Sequence, residues 1–341
     1  MSGASSNMPL WTAAEAEAAT GGQLAGSTDW RAEGISIDSR SVKPGDLFIA
    51  LAGPVFDGHD FIPAALAKGA VAAMAHRRPD GLATDAPLLN VDDTLAALGR
   101  LGAAGRARSS ARFVGVTGSV GKTGTKEALR LALSTQAETF ANEGSLNNHW
   151  GVPLSLARLP QNAALGVFEI GMNHAGELGP LSRMVRPEVA VITTVEAAHL
   201  EFFDSVESIA DAKAEIFEGM GRQGTAVLNR DNPQFERLAG HARRHGLGRI
   251  LTFGEHPDAE VRLIDCRLEP AGSRVGAEVI GRRFDYQLAV PGRHWVQNSL
   301  AVLAAVAALD LDVGLASAGL GVLAPLKGRG QRRKIRLGDG S

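Results

Sequence analysis

The chain has 341 residues, 45% of them hydrophobic, and a formal net charge of −2 with basic and acidic residues interspersed. This length exceeds one ordinary core and predicts two or three domains, and the mixed charge excludes a global field that would attract nucleic acid or an acidic membrane. There is no signal-peptide run, the longest apolar helix is too short to span a bilayer and Cys266 has no cysteine to pair with, so we expect a cytoplasmic protein.

The pattern predicts that residues 1–110 form a small α/β unit, the size of a typical small domain. Its strands are short apolar runs bounded by glycine, proline and polar residues, and its helices are rich in alanine. In chain order the predicted elements are a helix within 11–25 that ends at Gly21 and Gly22, strands at 34–40 and 46–50, a helix at 61–68, strands at 71–75 and 88–91, and a helix ending near Arg108.

Two polar residues of this unit are candidates for ligand contacts. Arg40 ends the first predicted strand, and its guanidinium could pair bidentately with a phosphate; the alternative is a surface arginine that caps the strand. His59 lies in the loop 53–59, where it is either a catalytic group or a residue that hydrogen-bonds the loop. The segment alone leaves both residues open.

From residue 111 onward, apolar strands alternate with helical stretches, and shorter, more polar strands follow after about residue 260. This alternation predicts an α/β fold with a doubly wound, mostly parallel sheet, to which the later strands add an antiparallel extension. We assign this unit to 111–327. The predicted strands are 113–117, 138–141, 165–170, 188–195, 224–228, 249–253, 261–269, 274–280 and 284–290, and the predicted helices are 122–134, 151–157, 176–184, 206–219, 232–245, 294–309 and 313–323.

A glycine-bearing loop joins the first strand of this unit to its first helix. Such a loop directs backbone N–H groups at a helix N-terminus, which favours phosphate, while Lys122 would reach the outer phosphates and the Thr123 hydroxyl would bind Mg²⁺. The general pattern G-x-x-x-x-G-K-[ST] lacks its first glycine, because Val116 stands there, so a plain glycine turn is the alternative. The loop residues are Thr117, Gly118, Ser119, Val120, Gly121, Lys122 and Thr123.

Two more polar side chains, Glu169 and His199, follow apolar strands of the predicted sheet. Because ligands of open parallel sheets bind beyond the carboxyl ends of the strands, we expect both to flank the phosphate site. A carboxylate suits Mg²⁺ well and an imidazole less so. Each residue also has an ordinary alternative, Glu169 as a helix cap and His199 as a loop hydrogen-bonding residue.

Lys213 falls inside an apolar stripe of the helix predicted at 206–219. It shares a face with Ile209, Ala212, Ile216 and Phe217 by i, i+3 and i+4 spacing. Burial lowers the pKa of an amine, and a neutral amine can be covalently modified. The alternative is a lysine at the edge of the stripe whose ammonium reaches water.

Three asparagines complete the set of candidates. Asn147 and Asn148 lie in an amide-rich segment at 142–153 and could contact substrate or phosphate, or could belong to a plain turn before a helix. Asn298 lies in the first turns of the alanine-rich helix, where its amide could read an adenine edge or serve as a polar cap-region residue.

Together these segments resemble the Mur ligase family, the ATP-dependent amino-acid and peptide ligases of bacterial cell-wall synthesis. T-G-S-V-G-K-T is that family's form of the phosphate loop, which accounts for the missing first glycine. The segments at 117–127, 143–156 and 168–178 are similar to the family member that adds D-alanyl-D-alanine to UDP-N-acetylmuramoyl-tripeptide. The segment at 38–61 resembles the family's UDP-binding N-terminal domain.

The resemblance implies ATP and Mg²⁺ as cofactors and these two compounds as substrates of a monomeric enzyme, with an acyl-phosphate intermediate. It implies that Lys122 binds the ATP phosphates, that Thr123 and Glu169 hold one Mg²⁺, and that His199 and a carbamate on Lys213, derived from CO₂, hold a second. By the same resemblance the nucleotide contacts include Asn298 and Arg329, and the substrate contacts include Ser39, Arg40, Asp57, His59, Asn147 and Asn148.

The sequence departs from the family in one respect. The family has a third, C-terminal domain that closes over ATP, and the chain stops at residue 341 soon after a new strand begins within 328–341. We therefore expect a truncated chain that binds nucleotide weakly and turns over poorly. The alternatives are a non-catalytic fragment that binds ATP or a UDP-sugar, and the related ligase that adds the third peptide residue.

Overall fold

The computed structural model describes residues 8–198 and 201–325. These residues form three β-sheets with helices packed around them, and the sheets are mostly parallel with an antiparallel portion, so the predicted α/β class is confirmed. Within those residues, no helix combines the length and the apolar character that a bilayer crossing requires.

The first part of the chain contains a five-stranded sheet and a two-stranded sheet. Its elements in chain order are β1 (Trp11–Thr12), α1 (Ala13–Thr20), β2 (Gln23–Ala25), β3 (Arg31–Ala32), β4 (Gly34–Ser36), β5 (Asp46–Ile49), α2 (Ile62–Ala67), β6 (Ala72–Ala75), β7 (Leu88–Asn90) and α3 (Thr94–Ala107). The larger sheet has the order β2-β7-β6-β5-β4 and is parallel except at β2. Strand β1 pairs with β3.

Two predicted boundaries in this part were wrong. The helix predicted within 11–25 ends at Thr20, followed by Gly21 at a φ of 66°, and the residues after it form the unpredicted strand β2. The strand predicted to reach Arg40 ends at Ser36. Beyond it the Asp38 carboxylate accepts the backbone N–H of Arg40, and this local hydrogen bond turns the chain away from the sheet.

The second part forms a nine-stranded sheet with helices on both faces. Its elements in chain order are β8 (Arg112–Thr117), α4 (Lys122–Ser134), β9 (Thr139–Ala141), α5 (Gly151–Ala157), β10 (Leu165–Glu169), α6 (Leu178–Val185), β11 (Val189–Ile192), α7 (Val206–Ala214), β12 (Thr225–Asn229), α8 (Phe235–Arg244), β13 (Arg249–Gly254), β14 (Val261–Glu269), β15 (Gly272–Val279), β16 (Arg282–Leu288), α9 (Arg293–Ala308) and α10 (Val313–Gly319).

The strand order is β16-β15-β14-β13-β12-β11-β8-β10-β9. Pairing is parallel from β9 to β14 and antiparallel from β14 to β16, as predicted. The central strands are buried on both faces, which explains their nearly continuous apolar runs. Alternate residues enter separate cores, with Val114 and Val116 on one face and Phe113 on the other.

The helix predicted at 206–219 is in fact two segments. Helix α7 ends at Ala214 and a 3-10 helix continues over Glu215–Gly219. The apolar stripe therefore persists, with Ile209 and Ile216 both buried, but the side chain of Glu215 leaves the helix to contact α6.

Helices α3 and α5 pack closely because α3 presents glycines to its neighbour. A Cβ atom on Gly105 would lie 2.3 Å from the carbonyl oxygen of Leu156. We expect Gly105→Ala to lower the free energy of unfolding by about 1–3 kcal/mol, since the backbones must separate. Gly99→Ala, in the same helix with open space around it, should instead gain up to about 1 kcal/mol from helix propensity. Equal urea midpoints for the two variants would contradict this close packing.

Candidate functional site

Three parallel strands bring the candidate site together at one edge of the large sheet. Strand β8 lies between β10 and β11, and the chain leaves β8 toward one side of the sheet and returns on the other. Such a change of direction opens a crevice at the carboxyl ends of the strands. The loop after Thr117, the carboxylate of Glu169 and the segment after Ile192 all start at this crevice.

The loop after β8 adopts backbone conformations that favour glycine. Gly118 and Gly121 have φ angles of 150° and 86°. A Cβ on Gly118 would lie 2.0 Å from Oγ1 of Thr193, and one on Gly121 would lie 2.9 Å from Oδ1 of Asn298. Gly121 occupies the N-cap of α4 without a side-chain cap, so the helix N-terminus faces the crevice without a capping carboxylate or hydroxyl from its own N-cap.

The segment that follows β11 holds this loop in shape. The N–H of Ser119 donates to the carbonyl of Thr194 at 2.9 Å, and its hydroxyl bonds both the carbonyl and the N–H of Glu196. The Thr193 hydroxyl donates to the carbonyl of Val120 at 2.6 Å. The loop is therefore preorganised by side chains from the neighbouring strand.

Lys122 and Asn298 both lie against the loop. The Lys122 ammonium donates to the carbonyl oxygens of Gly118 at 2.8 Å and Ser119 at 3.2 Å, which places its positive charge over the loop. The hydroxyl oxygen of Thr117 is buried and has no hydrogen-bond partner within the described residues. The crevice thus combines a cation, a helix N-terminus and an unsatisfied hydroxyl, a composition suited to an anion.

Glu169 presents a fixed carboxylate with one oxygen to spare. The residue is 1% exposed, and its Oε1 accepts a hydrogen bond from the Asn147 side chain at 2.7 Å. Oε2 is buried without a hydrogen-bond partner in the part of the chain that the structure describes. A buried carboxylate oxygen in this condition is costly unless a cation or donor meets it, and hard cations such as Mg²⁺ prefer such oxygens.

The two neighbouring asparagines have different surroundings. Asn147 faces Glu169, whereas the Asn148 side chain accepts the N–H of Gly151 at 2.9 Å and so supports the first turn of α5. Its amide nitrogen is the part left for a ligand. The amide-rich segment therefore is a specific structure around Glu169 as well as a turn.

Lys213 is buried within its stripe rather than placed at the edge. It is 2% exposed, and burial, together with the nearby charge of Lys122, lowers the pKa of its amine to about 7. Half of the amines are therefore neutral near pH 7, and the effect of Lys122 shows that the two lysines are near each other. A neutral amine of this kind is a nucleophile.

Glu215 is a residue that sequence reasoning missed. Its Oε1 accepts the N–H of Gly176 at 2.6 Å, and its Oε2 accepts those of Leu178 and Gly179, each at 3.1 Å. It caps the N-terminus of α6, which has no side-chain cap of its own. The absence of a local cap at Glu177 was the signal that a distant residue supplies one.

The candidates in the first part of the chain make contacts of a different kind. The exposed Arg40 guanidinium pairs with Asp38 at 2.8 Å, and the backbone carbonyl of Ser39 accepts the ammonium of Lys68 at 2.8 Å. Both residues therefore lie at the surface beyond β4, where Arg40 would have to exchange a carboxylate partner for a phosphate.

Asp57 and His59 belong to one hydrogen-bonded group. His59 is fully buried, with Nδ1 2.6 Å from Asp57 and Nε2 accepting the N–H of His76 at 3.1 Å. Arg77 pairs with Asp57 and, with the N–H and ring of His59, holds the pKa of that carboxyl far below its usual range. Both nitrogens of His59 are thus occupied by protein groups, and a direct ligand contact would require this group to rearrange.

Two predicted site residues, His199 and Arg329, lie outside the described residues. Across residues 8–198 and 201–325, no group of three or more histidine, cysteine, aspartate or glutamate side chains could by itself hold a metal ion. A metal at this crevice would therefore rely on Glu169 together with hydroxyl, amine-derived or substrate oxygens.

Comparison with known proteins agrees with this geometry. Residues 116–306 match the model of the Mur ligase middle domain, and residues 31–106 match that of the Mur ligase family catalytic domain. A UDP-N-acetylmuramoyl-tripeptide–D-alanyl-D-alanine ligase of Rickettsia prowazekii is 34% identical over 94% of this chain and 71% of the relative.

Solved structures give the same result. MurF from Acinetobacter baumannii superposes with a TM-score of 0.82 at 33% identity, over 95% of this chain and 71% of that one. MurF ligase from Thermotoga maritima, in complex with ADP, superposes with a TM-score of 0.72 at 30% identity, over 86% of this chain and 66% of that one. The chain thus spans between about two thirds and seven tenths of the length of these proteins.

Proposed function

The chain belongs to the Mur ligase family, and we propose that it serves the ATP-dependent joining of D-alanyl-D-alanine to UDP-N-acetylmuramoyl-tripeptide in peptidoglycan precursor synthesis. The names of the relatives support this substrate pair, and the ADP complex of a similar protein supports ATP as the nucleotide. The observation that carries the proposal is the phosphate loop beside a buried carboxylate whose Oε2 has no partner in the described chain.

The residues at the crevice fit Mg²⁺. Glu169 supplies a carboxylate oxygen, and Thr123, adjacent to Lys122 on the first turn of α4, supplies a hydroxyl. His199 and Lys213 are the proposed ligands of a second ion. When bound, Mg²⁺ neutralises charge on the phosphates during transfer.

The proposed reaction has two steps. A carboxylate oxygen of the tripeptide forms a bond to the γ-phosphorus of ATP as the bond to ADP breaks, which gives an acyl phosphate and ADP. The amine of D-alanyl-D-alanine then forms a C–N bond at the acyl carbon, inorganic phosphate leaves, and the amine loses a proton. Lys122 and the N-terminus of α4 contribute by holding the phosphates in line, since phosphoryl transfer depends on positioning and charge stabilisation. Asn298, next to Gly121, contacts the nucleotide in this proposal, as does Arg329.

Lys213 carries a carbamate in this proposal. Its neutral amine attacks CO₂, an N–C bond forms, and one proton leaves to solvent, so that a cationic side chain becomes an anionic oxygen ligand. The pKa near 7 supports this role because only the neutral amine reacts. A carbamate would also remove the repulsion between two ammonium groups, since its charge is opposite to that of Lys122.

The first part of the chain binds the UDP moiety in this proposal, through Ser39, Arg40, Asp57 and His59. The separate five-stranded and nine-stranded sheets support domain assignments of 1–110 and 111–327, and 328–341 would begin a third domain. A cytoplasmic monomer stays a prediction.

Ligand-induced stabilisation and phosphate release test the proposal. UDP-N-acetylmuramoyl-tripeptide at about 100 times its dissociation constant should stabilise the protein by about 2.7 kcal/mol, and the corresponding dipeptide should stabilise it far less. Phosphate release from ATP should require the tripeptide and D-alanyl-D-alanine together. Stimulation by a single amino acid with the dipeptide would indicate the ligase that adds the third residue. Binding without any release would indicate a non-catalytic fragment.

A further inference from the structure

Lys126 is a second buried lysine, one helical turn beyond Lys122 on α4. Its side chain is fully buried, and its ammonium donates to the carbonyl of Asn142 at 2.6 Å and to that of Gly144 at 3.1 Å. It also pairs with the Glu127 carboxylate at 3.1 Å. An ammonium has three donors, so Lys126 is fully satisfied, and two of its bonds fasten the segment after β9 to α4.

The fastened segment holds Glu169 at several points. The buried Asn142 side chain donates to the carbonyl of Glu169 at 3.0 Å and accepts its N–H at 2.8 Å. It also donates to the carbonyl of Leu146 at 2.8 Å, which shapes the turn that leads to Asn147. Asn147 in turn donates to the Glu169 carboxylate and accepts the N–H of Gly171 at 2.8 Å.

We propose that Lys126 is a positioning residue that fixes the Glu169 carboxylate for a divalent cation, acting through Asn142 and Asn147. It places that carboxylate at a set distance from Lys122, because both lysines project from the same rigid helix. Residues that orient a metal ligand through hydrogen bonds change metal affinity by about 10- to 100-fold when they are removed. This inference rests on the proposed function, since it assumes that Glu169 binds the cation.

A buried ammonium with good partners could also serve stability alone, and the cost of its desolvation makes that role weak. The two roles differ in what they change. A purely structural lysine would alter the unfolding midpoint and leave the metal affinity of the folded protein unchanged. A positioning lysine alters the metal affinity in molecules that remain folded.

The test measures Mn²⁺ binding by electron paramagnetic resonance in the presence of a saturating non-hydrolysable ATP analogue. We expect Lys126→Met to raise the Mn²⁺ dissociation constant about tenfold. Glu127→Gln, which removes the ion pair but keeps both carbonyl contacts, should change it less than about twofold. An unchanged constant in folded Lys126→Met would overturn the proposal. If that variant does not fold, Lys126→Gln carries the same test, because glutamine can replace at most part of the contacts.

A double-mutant cycle adds the connection to Glu169. If Lys126 acts through Asn147, then Lys126→Met combined with Asn147→Ala should weaken Mn²⁺ binding less than the two single changes predict together. Strict additivity would contradict the proposed route.

Hydrogen exchange separates this inference from the proposed function. In the protein without nucleotide or metal, Lys126→Met should speed amide exchange in 142–149 and at Glu169, and Glu127→Gln should not. If the wild-type protein binds no Mn²⁺ with nucleotide, the proposed function fails, while the exchange result still reports on the contacts of Lys126. Unchanged exchange in both variants would overturn the positioning role itself.

Discussion

Replacing Lys213 with methionine is expected to stabilise the protein while it removes one of two bound divalent cations. Burial and the charge of Lys122 lower the pKa of this lysine from 10.5 to about 7, and at pH values below 7 such a shift corresponds to roughly 5 kcal/mol of lost stability. Methionine carries no charge to desolvate, so we expect a gain of about 2–4 kcal/mol at pH 7 in CO₂-free buffer, measured by urea unfolding.

The pH dependence of this gain has a defined sign. Between pH 7 and about 10.5 the unfolded protein holds a proton on Lys213 that the folded protein has lost, so the wild-type stability increases with pH across this window. The advantage of Lys213→Met should therefore be largest below pH 7 and should vanish near pH 10.5. Lys43→Met makes the same chemical change at an exposed lysine and should shift stability by less than about 0.5 kcal/mol. A destabilised Lys213→Met protein would show that the lysine is well solvated or paired.

The functional consequence of losing Lys213 has its own measurement. Mn²⁺ titration with a non-hydrolysable ATP analogue should give two bound ions for the wild type in bicarbonate and one for Lys213→Ala. Short-chain carboxylic acids should restore the second ion in the alanine variant, because they can occupy the place of the carbamate. They should fail in Lys213→Met, whose side chain fills that space. Two ions in untreated Lys213→Ala would remove the carbamate from the proposal.

The regular elements of the large sheet were predictable because their signals are local. Strands such as β10 and β11 are buried on both faces and therefore appear as continuous apolar runs, and glycines mark the turns into helices. Strand β2 was missed because its three residues are ordered by pairing with β7, more than sixty residues later in the chain. The end of α7 was misplaced because Glu215 contacts α6, a partner that periodicity cannot reveal.

The site divides in the same way. Lys213 was identified because its neighbours in the apolar stripe lie within two turns of one helix, and its burial follows from that pattern. Lys126 was not identified, because α4 shows a polar sequence there and the groups that cover the lysine come from a segment 16 to 18 residues away. Arg40 illustrates the opposite case, in which a predicted phosphate ligand pairs with a carboxylate of its own turn. Contacts between distant segments decide such cases.

Glu169→Gln should abolish metal-dependent nucleotide binding without destabilising the fold. Glutamine is nearly isosteric, and its carbonyl oxygen can accept the Asn147 hydrogen bond that Oε1 accepts at 2.7 Å. The amide nitrogen would then replace Oε2, the buried oxygen without a partner in the described chain, and would present N–H groups to a cation that needs an oxygen. We expect Mn²⁺ affinity with nucleotide to fall at least about 100-fold, a loss of about 2.8 kcal/mol.

The unfolding free energy of Glu169→Gln should stay equal or rise by about 1 kcal/mol, because an uncompensated buried charge is removed. Glu236→Gln is the matched control, since that carboxylate is exposed and pairs only weakly with Arg230 at 3.7 Å, and it should leave both quantities unchanged. A large loss of stability in Glu169→Gln would assign the carboxylate a structural role. Wild-type Mn²⁺ affinity in a stable Glu169→Gln protein would remove Glu169 from the metal site, and with it the reason that Lys126, Asn142 and Asn147 converge on this side chain.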